Sequence, residues 1–346
     1  MTDLFGIRHP IMLAGMNWIT EPNLVAAVCN AGGLGIFATA RCTPEETREN
    51  IREIKSLTDK PFGINQILVS PGAKDNIKIA IEEKVAFVNY SLGKPWFIDE
   101  VHAYGGKVMG TIALAKHAKK AEEAGCDVLI ITGYEAAAHG ADATSMVLIP
   151  IVSRLVNIPL IAAGGVYDGR GLAAALALGA DGISMGSRFM ITKESMVHDS
   201  FKKLCIGASE QDTLYGNVFD GMPGRVLKTK EAEAMVKKGF PLIDSIKGAL
   251  LLKRILNLSP GQFVKTAMDM MTAEEGHSVW VLARQAACNM KHMMAIMDGD
   301  IDGGILFAGQ CCGGIEDIPT CQELIDRIII EAEDVMEKTS MLKTGS

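Results

Sequence analysis

Several absences narrow the reading before any motif is considered. No Lys/Arg block occurs in the 346 residues, and the net charge is −7. A nucleic-acid partner, which needs a concentrated cationic face, is therefore not expected. No apolar run reaches the roughly 18 residues of a membrane span. The opening Met1-Thr2-Asp3-Leu4 has no basic stretch leading into an apolar one, so the expected location is cytoplasmic. There is no C-x-x-C pair among the eight cysteines, which argues against a zinc or dithiol site. Cys29, Cys126, Cys205 and Cys288 sit inside apolar segments, and Cys311-Cys312 is the one adjacent pair. Buried free thiols are the expectation rather than a disulfide framework. The histidines are scattered without metal-ligand spacing, so no metal is expected. The G-x-S-x-G elbow, the Walker loop and a G-x-G-x-x-G after the first strand are all missing.

What is present is alternation. Strand-like runs fall at Pro10–Ala14, Gly33–Phe37, Pro61–Ile67, Val85–Tyr90, Gly106–Gly110, Asp127–Thr132, Ile158–Ala163 and Gly182–Gly186. Amphipathic stretches such as Pro44–Leu57 and Ala113–Ala124 separate them. Pro22, Pro44 and Pro95 suit first helical turns, and Gly32, Gly125 and Gly179 suit the position just past a helix end. Eight strand–helix units predict an α/β fold, a (β/α)8 TIM barrel, with an open doubly wound sheet as the alternative. After about residue 205 the pattern turns helical, over Lys228–Lys238, Leu242–Leu256, Gln262–Met270 and His277–Met297. A last amphipathic helix, Cys321–Met341, is expected to close the barrel. The expected division is a barrel from residues 1–205 and 316–346, with a helical insertion at 206–315 covering its mouth. Methionines in that insertion suit an adaptable apolar lid or plain core filling.

Active sites of such barrels lie at the carboxyl ends of the strands. Small residues follow the first strand at Ala14-Gly15-Met16, where a flat ligand can approach the backbone. Asn65 ends the third strand with an amide that both donates and accepts. His139 follows the sixth strand in a loop of small residues and is the candidate acid/base group. Gly164-Gly165 follows the seventh strand, ahead of Asp168-Gly169-Arg170, and Gly186-Ser187 follows the eighth. Glycine loops after these two strands are the usual phosphate grip of the fold, with a helix N-terminus adding favourable polarity. A phosphate grip without a protein nucleophile points to a phosphorylated cofactor that carries the chemistry. A phosphosugar isomerase or synthase would use the same loops but needs a carboxylate or lysine set that is not found. A cofactor-free binding protein on the barrel is the third class.

The stretches His9–Met16, Asn30–Gly35, Leu57–Asn65, Ile161–Val166 with Asp168–Arg170, Ala175–Phe189, Gly299–Gly304 and Ala308–Gln310 together resemble the nitronate monooxygenase family. That flavin-dependent family, also called the 2-nitropropane dioxygenase family, includes FMN-dependent enoyl-ACP reductases and NADH:quinone reductases. The resemblance runs over nearly the whole chain. It implies FMN at the barrel mouth, with its phosphate on Gly164, Gly165, Gly186 and Ser187. Ala14, Gly15 and Met16 would line the isoalloxazine, Asn65 would meet its polar edge, and His139 would be the catalytic group beside it. The implied activity is oxidation of alkyl nitronates with O2; the alternative is NAD(P)H-dependent reduction of an enoyl thioester or a quinone. Two departures bear on the substrate. Ala137-Ala138 precedes the histidine where members carry glycine, and Gly110-Thr111 stands where some place a lysine. The expected partner is a small-molecule substrate, with a homodimer as the expected assembly.

Overall fold

The computed structural model describes residues 1–137, 139–239 and 279–340, with isolated positions between 246 and 264. Eight parallel strands form one sheet: β1 (Ile11–Leu13), β2 (Gly35–Ala38), β3 (Phe62–Ile67), β4 (Phe87–Ser91), β5 (Lys107–Ile112), β6 (Val128–Thr132), β7 (Leu160–Ala163) and β8 (Gly182–Met185). Each pairs with its neighbour in sequence, and β8 returns to pair with β1. The remaining seam is closed by a parallel bridge between Met12 and Leu34, where the Leu34 N–H donates to the Ile11 carbonyl and the Leu13 N–H to the Leu34 carbonyl. The ring is thus a (β/α)8 barrel.

All eight predicted strands are present, with ends displaced by up to two residues. Their near-continuous apolar runs reflect burial on both faces, barrel interior and helix layer. Local chemistry places the helices. Thr43 caps the helix Pro44–Leu57 through a reciprocal pair with Glu46, and Pro44 occupies its first turn. Pro22 likewise opens Pro22–Asn30. Pro95 does not open a helix: the next one begins at Ile98, because the turn after β4 runs on through Trp96 and Phe97. Gly32, Gly125 and Gly179 all take positive φ just past helix ends, as expected.

The C-terminal helix Cys321–Ser340 completes the outer layer against the helix Gly169–Ala177. The two helices meet at Gly169. A Cβ there would lie 2.4 Å from the Ile328 carbonyl oxygen, and the Gly169 N–H donates to Glu331 at 2.8 Å.

The region after β8 is not purely helical. A hairpin of β9 (Thr213–Gly216) and β10 (Gly224–Leu227) was not expected there. Four-residue strands are too short to show a clear alternation, and Gly216, Gly221, Pro223 and Gly224 read as loop. The hairpin leads into the helix Lys230–Lys238. Val226 bridges to Phe307, and a small apolar core forms from Phe219, Val226, Met235, Cys288 and Ile305. Val279–Met293 is helical and ends in a π-turn at Met294–Asp298. The helices expected at Leu242–Leu256 and Gln262–Met270, and the last residue of Cys321–Met341, lie outside the described residues. All eight cysteines are unpaired thiols, and six of them are buried. Among the described residues no helix is long and apolar enough to cross a membrane.

Candidate active site at the barrel mouth

The loops after β1, β3 and β8 converge. The Ala14 N–H donates to the Met185 carbonyl at 3.0 Å, tying the first loop to the last strand. Gly15 lies directly on Asn65: a Cβ at Gly15 would fall 2.5 Å from the Asn65 Cβ, closer than any real side chain stands. Asn65 is oriented from behind. Asn89 on β4 donates from Nδ2 to Asn65 Oδ1 at 2.6 Å, and Thr111 on β5 donates to Asn89 Oδ1 at 3.1 Å. With its oxygen engaged, Asn65 presents its Nδ2 to the β1 loop. Thr111, the residue at the lysine position, thus orients Asn65 through Asn89. Two residues past Gly15, the Asn17 Oδ1 is buried and has no hydrogen-bond partner among the described residues. A buried acceptor left in this way is a place where a ligand's donor can bind.

Gly164 and Gly165 follow β7 with φ of 100° and 79°, a conformation that L-residues with side chains rarely adopt. Among the described residues, neither glycine's N–H has a protein acceptor. Met16 and Ala14 flank Gly186, with their side chains 3.3 and 3.6 Å from where a Cβ would stand. Gly186 precedes a helix of only four residues, Ser187–Met190. The expected contribution of a helix dipole is therefore small, and the anion-holding capacity rests on unpartnered N–H groups.

These loops are fastened by a late segment. The Gly309 N–H donates to Ser187 Oγ at 2.9 Å, and the Gln310 N–H to the Glu135 carbonyl at 3.0 Å. The Glu135 carboxylate in turn receives Ser145 N–H at 3.0 and 3.1 Å, while Ser145 Oγ lies 3.1 Å from the Gly164 carbonyl.

His139 stands beyond β6 with 34% of its side chain accessible. Its Nε2 is 2.6 Å from Oδ2 of Asp220, which is itself 8% accessible and receives the Met222 N–H on its other oxygen. Burial disfavours charge on this imidazole, but the Asp220 carboxylate outweighs it and the pKa is raised above the ordinary value. Nothing local in the sequence pointed to Asp220, which the hairpin connection delivers from 81 residues away. Ala138 lies outside the described residues.

A row of rings flanks the histidine. Phe307 packs 6.4 Å from His139 and edge-on to His292 at 5.3 Å, and Trp18 lies 6.4 Å from His292. His292 hydrogen-bonds the Ile305 carbonyl at 3.0 Å, and burial lowers its pKa to about 4. It is neutral there and donates from Nδ1. The structure thus brings Ala14, Gly15, Met16 and Asn65 together, and Gly186 with them. Gly164 and Gly165 meet the β6 loop, and Ser187 joins that group through Gly309. Among the described residues no cluster of metal-ligating side chains occurs.

Comparison with known proteins decides the family. The profile described as nitronate monooxygenase matches residues 1–97 and 70–331. The chain belongs to the nitronate monooxygenase family. It is an oxidoreductase of that family. A protein of Rhodococcus jostii named (3aS,4S,5R,7aS)-5-hydroxy-7a-methyl-1-oxo-octahydro-1H-indene-4-carboxyl-CoA dehydrogenase is 38% identical, covering 96% of this chain and 95% of its own. A probable nitronate monooxygenase of Staphylococcus saprophyticus is 31% identical over 72% of this chain and 85% of its own. The structure of FabK from Thermotoga maritima superposes with a TM-score of 0.79 at 37% identity, covering 98% of this chain and 97% of that one.

Proposed function

We propose that this member of the family is an FMN-dependent oxidoreductase acting on the carbon skeleton of an acyl thioester. The observation that carries the reading is the His139–Asp220 pair. A histidine hydrogen-bonded to a buried carboxylate, which raises its pKa, holds its proton to higher pH than an ordinary imidazole and is placed to give that proton to a substrate. Reduction of a double bond conjugated to a thioester carbonyl needs such a donor at carbon; oxidation of an already anionic nitronate does not. The full-length similarity to a CoA dehydrogenase supports the same substrate class.

The residues present fit FMN. Gly164, Gly165, Gly186 and Ser187 would hold the phosphate with unpartnered N–H groups. Asn65 Nδ2 and the orphan Asn17 Oδ1 offer a donor and an acceptor to the polar edge of the ring. Ala14, Gly15 and Met16 would lie along it. When bound, FMN supplies the two-electron acceptor or donor at the mouth. His139 moves the proton at the substrate, Asp220 fixes the imidazole, and Phe307 and His292 exclude water beside them. Of the insertion expected at 206–315, the described hairpin of β9 and β10 would cover part of the mouth and bring Asp220 to the site. The Arg225 N–H on β10 lies 3.4 Å from the Ala137 carbonyl.

Oxidation of alkyl nitronates is the second reading, favoured by the 31% identity to a probable nitronate monooxygenase. Anaerobic mixing of the purified protein with each reductant separates the two. The thioester reading expects flavin bleaching by NAD(P)H and recovery with an enoyl thioester. Rapid bleaching by nitronates, with none by NAD(P)H, would overturn it.

A further inference from the structure

Arg41 follows β2 at the same end of the barrel as His139, and no mechanism above uses it. It is an exposed residue, and its guanidinium carbon sits 5.2 Å from the centre of the Trp18 ring. Among the described residues it makes no ion pair or hydrogen bond. Asp220 acts on Arg41 only through space, because its carboxylate is committed to His139 and the Met222 N–H.

Trp18 gives the second observation. Its φ is 63°, in the left-handed region that a bulky residue rarely adopts. The Ile19 and Thr20 N–H groups both donate to the Met16 carbonyl, which holds the turn. Such conformations persist where the surroundings impose them, and they cluster at ligand sites. The strained turn sets the indole as a platform under the guanidinium, a stacking arrangement that orients an arginine fork for an anion. The row Trp18, His292, Phe307 then connects Arg41 to His139 along one wall.

We infer that Arg41, seated on Trp18, is an anion anchor that selects substrates carrying a phosphorylated pantetheine arm. The inference rests on the thioester reading and names what that reading leaves open, the group that recognises the carrier. The arm occurs both in CoA and on carrier proteins, and the shared chemistry is its phosphate.

Calorimetric titration of the purified protein and of Arg41→Gln and Arg41→Lys tests it, with CoA, 4′-phosphopantetheine and pantetheine as probes. The wild type is expected to bind CoA more tightly than pantetheine. Arg41→Gln should weaken CoA by about tenfold or more, the size of a lost charge-assisted hydrogen bond. Pantetheine should be unaffected, and Arg41→Lys should retain part of the affinity. An equal loss with 4′-phosphopantetheine places the contact on the phosphate common to both carriers and supports the inference; a loss confined to CoA places it on the nucleotide phosphates and overturns it. Unchanged CoA affinity in Arg41→Gln, no CoA binding by the wild type, or an equal loss with pantetheine overturns the inference. Flavin content measured on the same samples keeps the two readings apart. A wild type without flavin sinks the cofactor assignment while the phosphate comparison stands on its own.

Discussion

His139 and Asp220 are 81 positions apart in the chain and 2.6 Å apart at the barrel mouth. The histidine comes from the barrel and the carboxylate from the connection between β9 and β10. Neither segment forms the pair without the other.

Asp220→Asn separates the effect of the carboxylate from that of burial. With Asp220 the His139 pKa is raised, so its proton is held to higher pH than in an ordinary imidazole. Without the negative charge only burial remains, and burial favours the neutral ring. The basic limb of the rate profile should therefore move to lower pH. The pair's contribution to stability follows the same sign: it is complete below the unfolded histidine pKa and fades as pH rises through the folded one. Rate and thermal unfolding measured from pH 5 to 9 check both, and an unmoved basic limb would remove Asp220 from the mechanism.

His139→Ala should keep its flavin, because the proposed phosphate grip lies after β7 and β8. Its turnover with the true substrate should fall by about 10²–10⁴, the usual contribution of a positioned acid or base. Reduction by NAD(P)H should change less, since hydride transfer needs no proton donor. Stopped-flow traces of the two half-reactions give the split.

Gly165→Asp should yield a folded protein without flavin. The position has φ 79°, and the new carboxylate would face the phosphate and the neighbouring Glu135 side chain. Absorbance between 350 and 500 nm after purification is the readout; full flavin occupancy would sink the phosphate site.

Thr111→Val removes the hydroxyl that orients Asn89, leaving the Asn89 oxygen without that donor. A loss of about 1 kcal/mol in stability is expected. Flavin affinity should fall as well, because Asn65 loses its fixed orientation. Chemical denaturation and flavin titration measure the two effects, and a change in stability alone would limit Thr111 to a structural part.

Gly169→Ala tests the helix contact rather than the site. A methyl group placed 2.4 Å from the Ile328 carbonyl forces the C-terminal helix outward, at a cost of about 1–3 kcal/mol. A lowered melting temperature with normal turnover per bound flavin is the expected result.

The barrel was legible because its strands are short, doubly buried and punctuated by glycines, so apolar runs and turn residues carried the pattern unaided. The glycine loops were legible for the same reason: their backbone needs exclude most other residues. Asn65 could be placed as an amide at a strand end, but its support by Asn89 and Thr111 depends on the register between strands. Asp220 and the Gly309–Gln310 clamp were not legible as partners. Their roles arise from a long-range return of the chain, which leaves no local periodicity. The hairpin was hidden by its four-residue strands.

The clamp from Gly309 and Gln310 to Ser187 and Glu135 also sets an order of events during synthesis. A nascent chain that ends at residue 308 already contains all eight strands and both glycine loops. It cannot yet make the two bonds that fix the loops after β6 and β8. Only after these residues emerge can the mouth take its final shape, and only the helix that follows, Cys321–Ser340, covers the outer face at Gly169. Readiness of the site thus waits on two residues that emerge long after the last barrel strand.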